Sequence, residues 1–80
     1  MKIYVVIFEG ADHSGGGFDW FYLKSPAKSC FNKTWETAPI GTHIWFVEME
    51  IDHDAEPDLI TSTIEDRLDL LQCNRCEIVS

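Results

Sequence analysis

The segments of this chain that favour β-strands are apolar on both of their faces. Residues 3–8 form an unbroken run of β-branched and aromatic side chains, which is typical of a strand. Because side chains alternate along a strand, odd-numbered and even-numbered residues of this run lie on opposite faces, and both sets are apolar. Residues 18–23 and 43–51 show the same two-sided pattern over most of their length. A sheet built from these strands needs a cover on both faces, or it exposes a large apolar patch.

Helix signals lie between and after the strands. Ser25 is a typical N-cap with Pro26 preset for the first turn, and Pro39 marks the end of this first helix. A second helix is predicted from about residue 54 to about residue 72, and residues 77–79 favour a short fourth strand. The expected element order is therefore β-β-α-β-α-(β). The side chains expected to face the sheet are Ala27, Cys30, Phe31, Thr34, Trp35 and Ala38 from the first helix and Ile60, Ile64, Leu68 and Leu71 from the second.

The order of the elements predicts a topology for the sheet. The connection from strand two through the first helix to strand three should be a right-handed crossover, which places strand three parallel to strand two. Strand one then fits between them, antiparallel to both, in the order 2-1-3. With both helices on one face, the 80 residues are expected to form a single α+β domain, a two-layer sandwich with a three- to four-stranded, mainly antiparallel sheet.

An arrangement with both helices on one face leaves the second face of the sheet without a helical cover. Aromatic residues there would form an apolar surface of a kind that usually marks an interface. A homodimer or a bound partner is one explanation, and dimerisation would add stability to a chain this short. A cover by loops, by the C-terminal tail or by a strong curl of the sheet is the other. The residues of this predicted apolar surface are Tyr4, Val6, Phe8, Phe18, Trp20, Tyr22 and Phe46.

The charge of the chain is concentrated in its C-terminal part. Residues 1–47 carry four acids and four lysines, whereas residues 48–80 carry ten acids against Arg67 and Arg75 and so hold the whole net charge of −8. Acids concentrated in this way repel one another in the folded state. The excess argues against direct binding of nucleic acid or of an anionic membrane, and it favours a basic protein surface as the partner.

Acids occupy every second position from Glu48 to Asp58. On a strand, such residues project to one side at a spacing of about 6.6 Å, which approaches the spacing of every second phosphate along a DNA strand, about 6.8 Å. A surface of this kind can mimic nucleic acid and block a protein that binds it, while a solvated face that only keeps the chain soluble is the alternative. A calcium loop is a weaker interpretation, because Pro57 interrupts it and the EF-hand glycine and distal glutamate are missing. The acids predicted to bind a partner are Glu48, Glu50, Asp52, Asp54, Asp58, Glu65, Asp66 and Asp69.

The remaining chemistry-bearing residues form weaker patterns. Cys73 and Cys76 make a C-x-x-C pair, but this is only half of a structural zinc site and it follows a helix instead of preceding one. Neither residues 12–14 (Asp-His-Ser) nor His53 forms a convincing catalytic group, and the glycines 15–17 lack a following helix that would bind phosphate. We therefore expect no enzymatic activity, no cofactor and no metal. An odd number of cysteines, the lack of an export signal and the lack of a long apolar run favour a reducing, cytoplasmic location.

The segment SGGGFDWF, from Ser14 to Phe21, follows the first strand and, together with the acidic, helix-ended C-terminal part, resembles short phage and mobile-element proteins. Some members of that class are anti-CRISPR or other anti-defence inhibitors, several of them acidic and homodimeric. The resemblance implies a stoichiometric inhibitor that occupies a host protein surface, and it transfers no functional residues. The sequence thus predicts a small acidic protein-binding module that blocks a basic, nucleic-acid-binding surface of a host defence complex. The alternative is a structural or metal-linked homodimer whose acids only solubilise it.

Overall fold

The computed structural model describes residues 1–11 and 16–80. The sheet consists of β1 (Lys2–Glu9), β2 (Gly16–Phe21), β3 (His43–Glu50) and β4 (Glu77–Ile78). The strands lie in the order β2-β1-β3-β4, and each neighbouring pair is antiparallel. The α+β class is confirmed, as is the predicted 2-1-3 order with β1 between two strands that run in one direction.

The helices in the described part of the chain are α1 (Lys24–Thr37), α2 (Pro57–Asp66) and α3 (Leu68–Leu71). The first helix begins earlier than predicted, with Leu23 and not Ser25 at the N-cap. It ends at Thr37 because Ala38 precedes a proline and adopts an extended backbone, with φ −76° and ψ 149°. The predicted second helix is divided at Arg67 into α2 and α3.

The helices pack on opposite faces of the sheet, which corrects the expectation that both lie on one face. Val6 belongs to the cluster under α1, whereas Val5 belongs to the cluster under α2 and α3. Both valines are 0% exposed, so the central strand is covered on each side. The three long strands span only about 14 Å at about 4.8 Å per strand, and two helices side by side need about 20 Å with their side chains. One helical layer on each face therefore covers this narrow sheet better, and the result is three layers instead of two.

The C-terminal tail is held to the sheet by a turn at Gly41. This residue has a φ of 94°, which favours glycine, and a Cβ there would lie 2.9 Å from the Ala11 Cβ. The Gly41 N–H donates to the Val79 carbonyl at 2.7 Å, and the Val79 N–H donates to the Thr42 carbonyl at 2.9 Å. The adjoining strand β4 is only two residues long, so it pairs with just the beginning of β3.

Candidate protein-binding surface

Glu48 and Glu50 lie at the end of β3, on the face of the sheet that α1 covers. Even-numbered residues of β3 point to this face, because Phe46 packs in the cluster under α1. The Glu48 Oε2 is 3.9 Å from the Lys2 Nζ, and the Glu50 Oε2 is 3.3 Å from the α-amino nitrogen of Met1. The two glutamate side chains remain 49% and 70% exposed. These cations therefore offset part of the negative charge without covering the carboxylates.

The regular row of acids ends at Glu50, which is the last residue of β3. Asp52 and Asp54 lie in the turn between β3 and α2, and both are exposed. Strand geometry therefore sets the spacing of only one pair of carboxylates in this row, Glu48 and Glu50. The predicted strand was one residue too long, and the backbone turns away before Asp52.

Four further acids lie on the helices that cover the other face of the sheet. All four are exposed. Three of them lie on α2, which turns Ile60 and Ile64 toward the sheet and its remaining side outward, and the fourth lies on α3. Among residues 1–11 and 16–80, no cation lies within ion-pair distance of any of them. These residues are Asp58, Glu65, Asp66 and Asp69.

The acids at the end of α2 occupy positions that do not stabilise the helix. Glu65 and Asp66 lie in its last turn, which contains no basic residue. A carboxylate at a helix C-terminus faces the negative end of the helix dipole, and such a contact costs about 0.3–1 kcal/mol. Asp58, in the first turn, has the favourable placement. Helix stability therefore explains the position of Asp58 and does not explain the positions of Glu65 and Asp66.

The seven residues of the predicted apolar surface do not share a face. In the β1–β2 register Tyr4 is opposite Phe21, and cross-strand partners lie on the same face. Phe18 and Trp20 therefore point to the other side, and the ring of Tyr22 contacts that of Trp20 at a centroid distance of 5.0 Å. The predicted face without a helical cover, for which a homodimer or a bound partner was one explanation, is not found in the described part of the chain, because α1 covers it. The α1 side holds Tyr4, Val6, Phe8 and Phe46, and the α2 side holds Phe18 and Trp20.

Two open grooves lie beside β3, one on each face of the sheet. The groove on the α1 side has a volume of about 420 Å³, and Trp35, Phe46 and Arg75 are among its lining residues. The groove on the α2 side has a volume of about 430 Å³, and Leu59 and Arg67 are among its lining residues. The sequence did not predict either groove, because each depends on where a helix crosses the sheet. The one available signal was the short predicted length of the fourth strand, which indicates that most of the β3 edge beside the grooves has no strand partner.

The cysteines do not converge on a metal site. Cys73 is exposed and its thiol donates to the Asp69 carbonyl at 3.3 Å, whereas Cys76 packs against the cluster under α2. Within residues 1–11 and 16–80, no group of three or more His, Cys, Asp or Glu side chains is placed to hold a metal ion. The Cys30 thiol lies 3.8 Å from the Asp19 carboxylate. Burial, followed by the charge of Asp19, raises the pKa of Cys30, which keeps this thiol protonated at neutral pH.

The glycine-rich segment lies partly outside the described residues, as does the Asp-His-Ser group at residues 12–14. Gly16 and Gly17 belong to β2 and not to a loop. A Cβ on Gly16 would lie 2.8 Å from the Phe8 carbonyl oxygen, and one on Gly17 would lie 3.1 Å from the Phe8 ring. Close packing against β1 therefore explains these two glycines. His53 lies exposed in the turn before α2.

No protein-family model matches this chain, and neither curated proteins nor solved structures show significant similarity to it. None of the helices in the described part of the chain has the length and apolar character needed to cross a lipid bilayer. Function is therefore inferred from the surface of the molecule itself.

Proposed function

We propose that this chain is a small, cytoplasmic, acidic protein-binding module that inhibits a basic, nucleic-acid-binding protein by occupying its surface, in the manner of phage anti-defence inhibitors. One observation supports this function above the others. All eight predicted acids are exposed, and six of them have no cation within ion-pair distance in the described part of the chain. Their charge is therefore available to a partner.

Five of these acids follow one another around one end of the molecule, which we call the acidic end. They run from the end of β3 through the turn into the first turn of α2. Because β3 and α2 belong to different layers, the carboxylates point to more than one side of this end. Carboxylates that face more than one side can contact several walls of a concave basic surface, such as a channel that holds nucleic acid. The residues of the acidic end are Glu48, Glu50, Asp52, Asp54 and Asp58.

Exposed carboxylates of this type act mainly on the rate and choice of association. Complementary charge speeds encounter and disfavours wrong partners, whereas most of the affinity comes from a few well-packed residues. Salt at about 0.15 M screens such charges beyond about 8 Å. Binding should therefore weaken steeply as the salt concentration rises, chiefly through a slower association rate.

Charge reversal at the acidic end tests the function. The variant Glu48→Lys/Glu50→Lys/Asp52→Lys is compared with a control, Asp19→Lys/Glu36→Lys/Glu77→Lys, whose three acids are also exposed. Both variants raise the net charge by six units from −8. The binding protein is captured from a bacterial lysate at low salt, purified, and titrated with each variant in the presence of its nucleic acid.

The acidic-end variant should lose at least about tenfold in affinity, equal to about 1.4 kcal/mol, and should no longer displace nucleic acid from the target. The control should remain within about threefold of the wild type. Full binding by the acidic-end variant would refute the proposed function. An equal loss in both variants would show that net charge alone matters and would refute the role of the acidic end.

A further inference from the structure

The outer edge of β3 is paired over only part of its length. β4 pairs with His43 and Ile44, and no described strand continues beyond them. The N–H and C=O groups of one strand residue point to the same side, and the Thr42 carbonyl bonds to the tail on this edge. Glu48 and Glu50 are even-numbered like Thr42, and alternate residues of a strand point their backbone groups to the same side, so their N–H and C=O groups also face this edge. Within residues 1–11 and 16–80, no hydrogen bond satisfies those outward groups, and we call residues 47–50 the open edge.

The two faces beside the open edge differ in chemistry. The side chains of Glu48 and Glu50 lie on the α1 side. Their neighbouring cations, Lys2 and the α-amino group of Met1, lie toward β1 and therefore away from the open edge. On the α2 side lies the groove that contains Ile51 and Leu59, and Leu59 is 58% exposed. Glu50, Asp52 and Arg67 also line this groove, so polar and charged groups surround its apolar residues. An added strand thus meets the Glu48 and Glu50 side chains on one face and, on the other, a groove in which the exposed Leu59 offers an apolar contact among polar groups.

We propose that the open edge binds an extended basic segment of the partner protein as an additional antiparallel strand. Because side chains alternate along a strand, lysine or arginine residues of this segment lie beside Glu48 and Glu50, and apolar residues between them enter the groove at Leu59. The backbone groups of Glu48 and Glu50 supply the hydrogen bonds, and the carboxylates select the sequence. This inference rests on the proposed function and specifies how its partner is recognised.

Charge favours this occupant over a second copy of the chain. Two copies of β3 joined edge to edge would bring Glu48 and Glu50 next to the same residues of the other copy, and like charges across a strand pair are destabilising. The other sheet edge, β2, fits a basic segment less well. Its only described acid is Asp19, whose carboxylate is in contact with the Cys30 thiol.

The decisive probe is a labelled heptapeptide in which lysine and valine alternate, measured by fluorescence anisotropy at low salt. In the antiparallel arrangement, peptide residues opposite Glu48 and Glu50 share their face and direct their N–H groups to β3. Lysine N–H groups then donate to the open edge, and valine N–H groups face solvent. N-methylation of the lysine amides should weaken binding at least about tenfold, whereas N-methylation of the valine amides should change it less than about twofold. Both modified peptides keep the charge and the amino-acid sequence of the unmodified peptide.

A matched pair of protein variants tests the same contact from the other side. Glu48→Gln removes the charge, and Glu48→Pro removes the charge and the outward N–H. Proline is tolerated on an edge strand where its N–H would face solvent. The proline variant should bind the unmodified peptide at least about fivefold more weakly than the glutamine variant, with circular dichroism confirming that both are folded. If the proline variant unfolds, the two methylated peptides decide alone.

Each other result overturns the strand model. Equal weakening by both methylations, or by neither, would show that the peptide does not pair with β3, and greater weakening by the valine methylations would exclude the antiparallel arrangement. If the methylations act alike while the acidic-end variant still loses its natural target, charge recognition stands and only the edge inference fails. A dimer in sedimentation that Glu48→Pro converts to a monomer would show that a second copy occupies the edge. No binding of the unmodified peptide would also refute the inference.

Discussion

Valine-to-alanine substitutions at two neighbouring positions of β1 test whether both faces of the sheet are covered. Val5 packs in the cluster under α2 and Val6 in the cluster under α1, and both are 0% exposed. Each substitution removes two methylene equivalents, which at about 0.8 kcal/mol each gives about 1.6 kcal/mol. The cavity left in the central strand adds to this, so we expect each variant to lose about 1.5–3 kcal/mol in unfolding free energy. At about 0.05–0.15 kcal/mol per residue, the chain has about 4–12 kcal/mol in total, and both variants should stay folded.

Urea unfolding followed by tryptophan fluorescence measures these losses, with the m-value as a check that the transition has not changed. Ile40→Ala is the control, because Ile40 is 79% exposed and its truncation should alter stability by less than about 0.5 kcal/mol. The informative comparison is between the two valines. A full loss for Val5→Ala together with a loss for Val6→Ala no larger than the control would show that α1 leaves its face open. That result would restore the two-layer arrangement and refute the three layers described above.

Two further predictions concern single side chains. Trp45 donates its indole N–H to the carbonyls of Gln72 and Asn74 at 3.2 and 3.1 Å. Trp45→Phe leaves these acceptors unpaired and should lower the unfolding free energy by about 1–3 kcal/mol. A loss below about 0.5 kcal/mol in the same urea titration would contradict this. The raised pKa of Cys30 means that the unfolded chain loses this thiol proton first as the pH rises above the ordinary value of 9.0. The unfolding free energy of the wild type relative to Cys30→Ser should therefore be constant below about pH 8 and fall above pH 9.0, and a difference that stays flat to higher pH would refute the assignment.

Local patterns were sufficient to predict where most strands and helices lie and which side of each helix faces the sheet. The run at residues 3–8 lies within β1, and the apolar spacing of the first helix correctly identified Ala27 and Phe31 as facing the sheet. β2 was placed two residues too late, because glycines usually mark a turn. Here Gly16 and Gly17 pair with Glu9 and Phe8, where a larger residue would collide with β1. The choice of glycine was a consequence of packing between strands, which a single segment does not reveal.

The relative position of the helices could not be predicted in the same way. The apolar stripe of α2 shows that this helix packs on a sheet. The stripe carries no information about which face of the sheet α1 already covers. The width of the sheet decides this, and it is known only once the strands are assembled. The same limit applies to the candidate surface. Exposure of all eight acids followed from their chemistry, whereas the end of the row at Glu50 depends on where β3 stops pairing with β1.

Because Glu48 and Glu50 lie at the open edge, their negative charge both discourages self-association and favours a basic partner. An unpaired edge is a template for association with any extended chain, and charged side chains on it discourage pairing between identical molecules. The same two carboxylates lower the cost of pairing with a basic segment, because that segment brings the opposite charge to the same face. Protection from self-association and selection of a basic partner are therefore not competing explanations of these residues. A chain that used neutral residues here would have to give up either the open edge or its discrimination between partners.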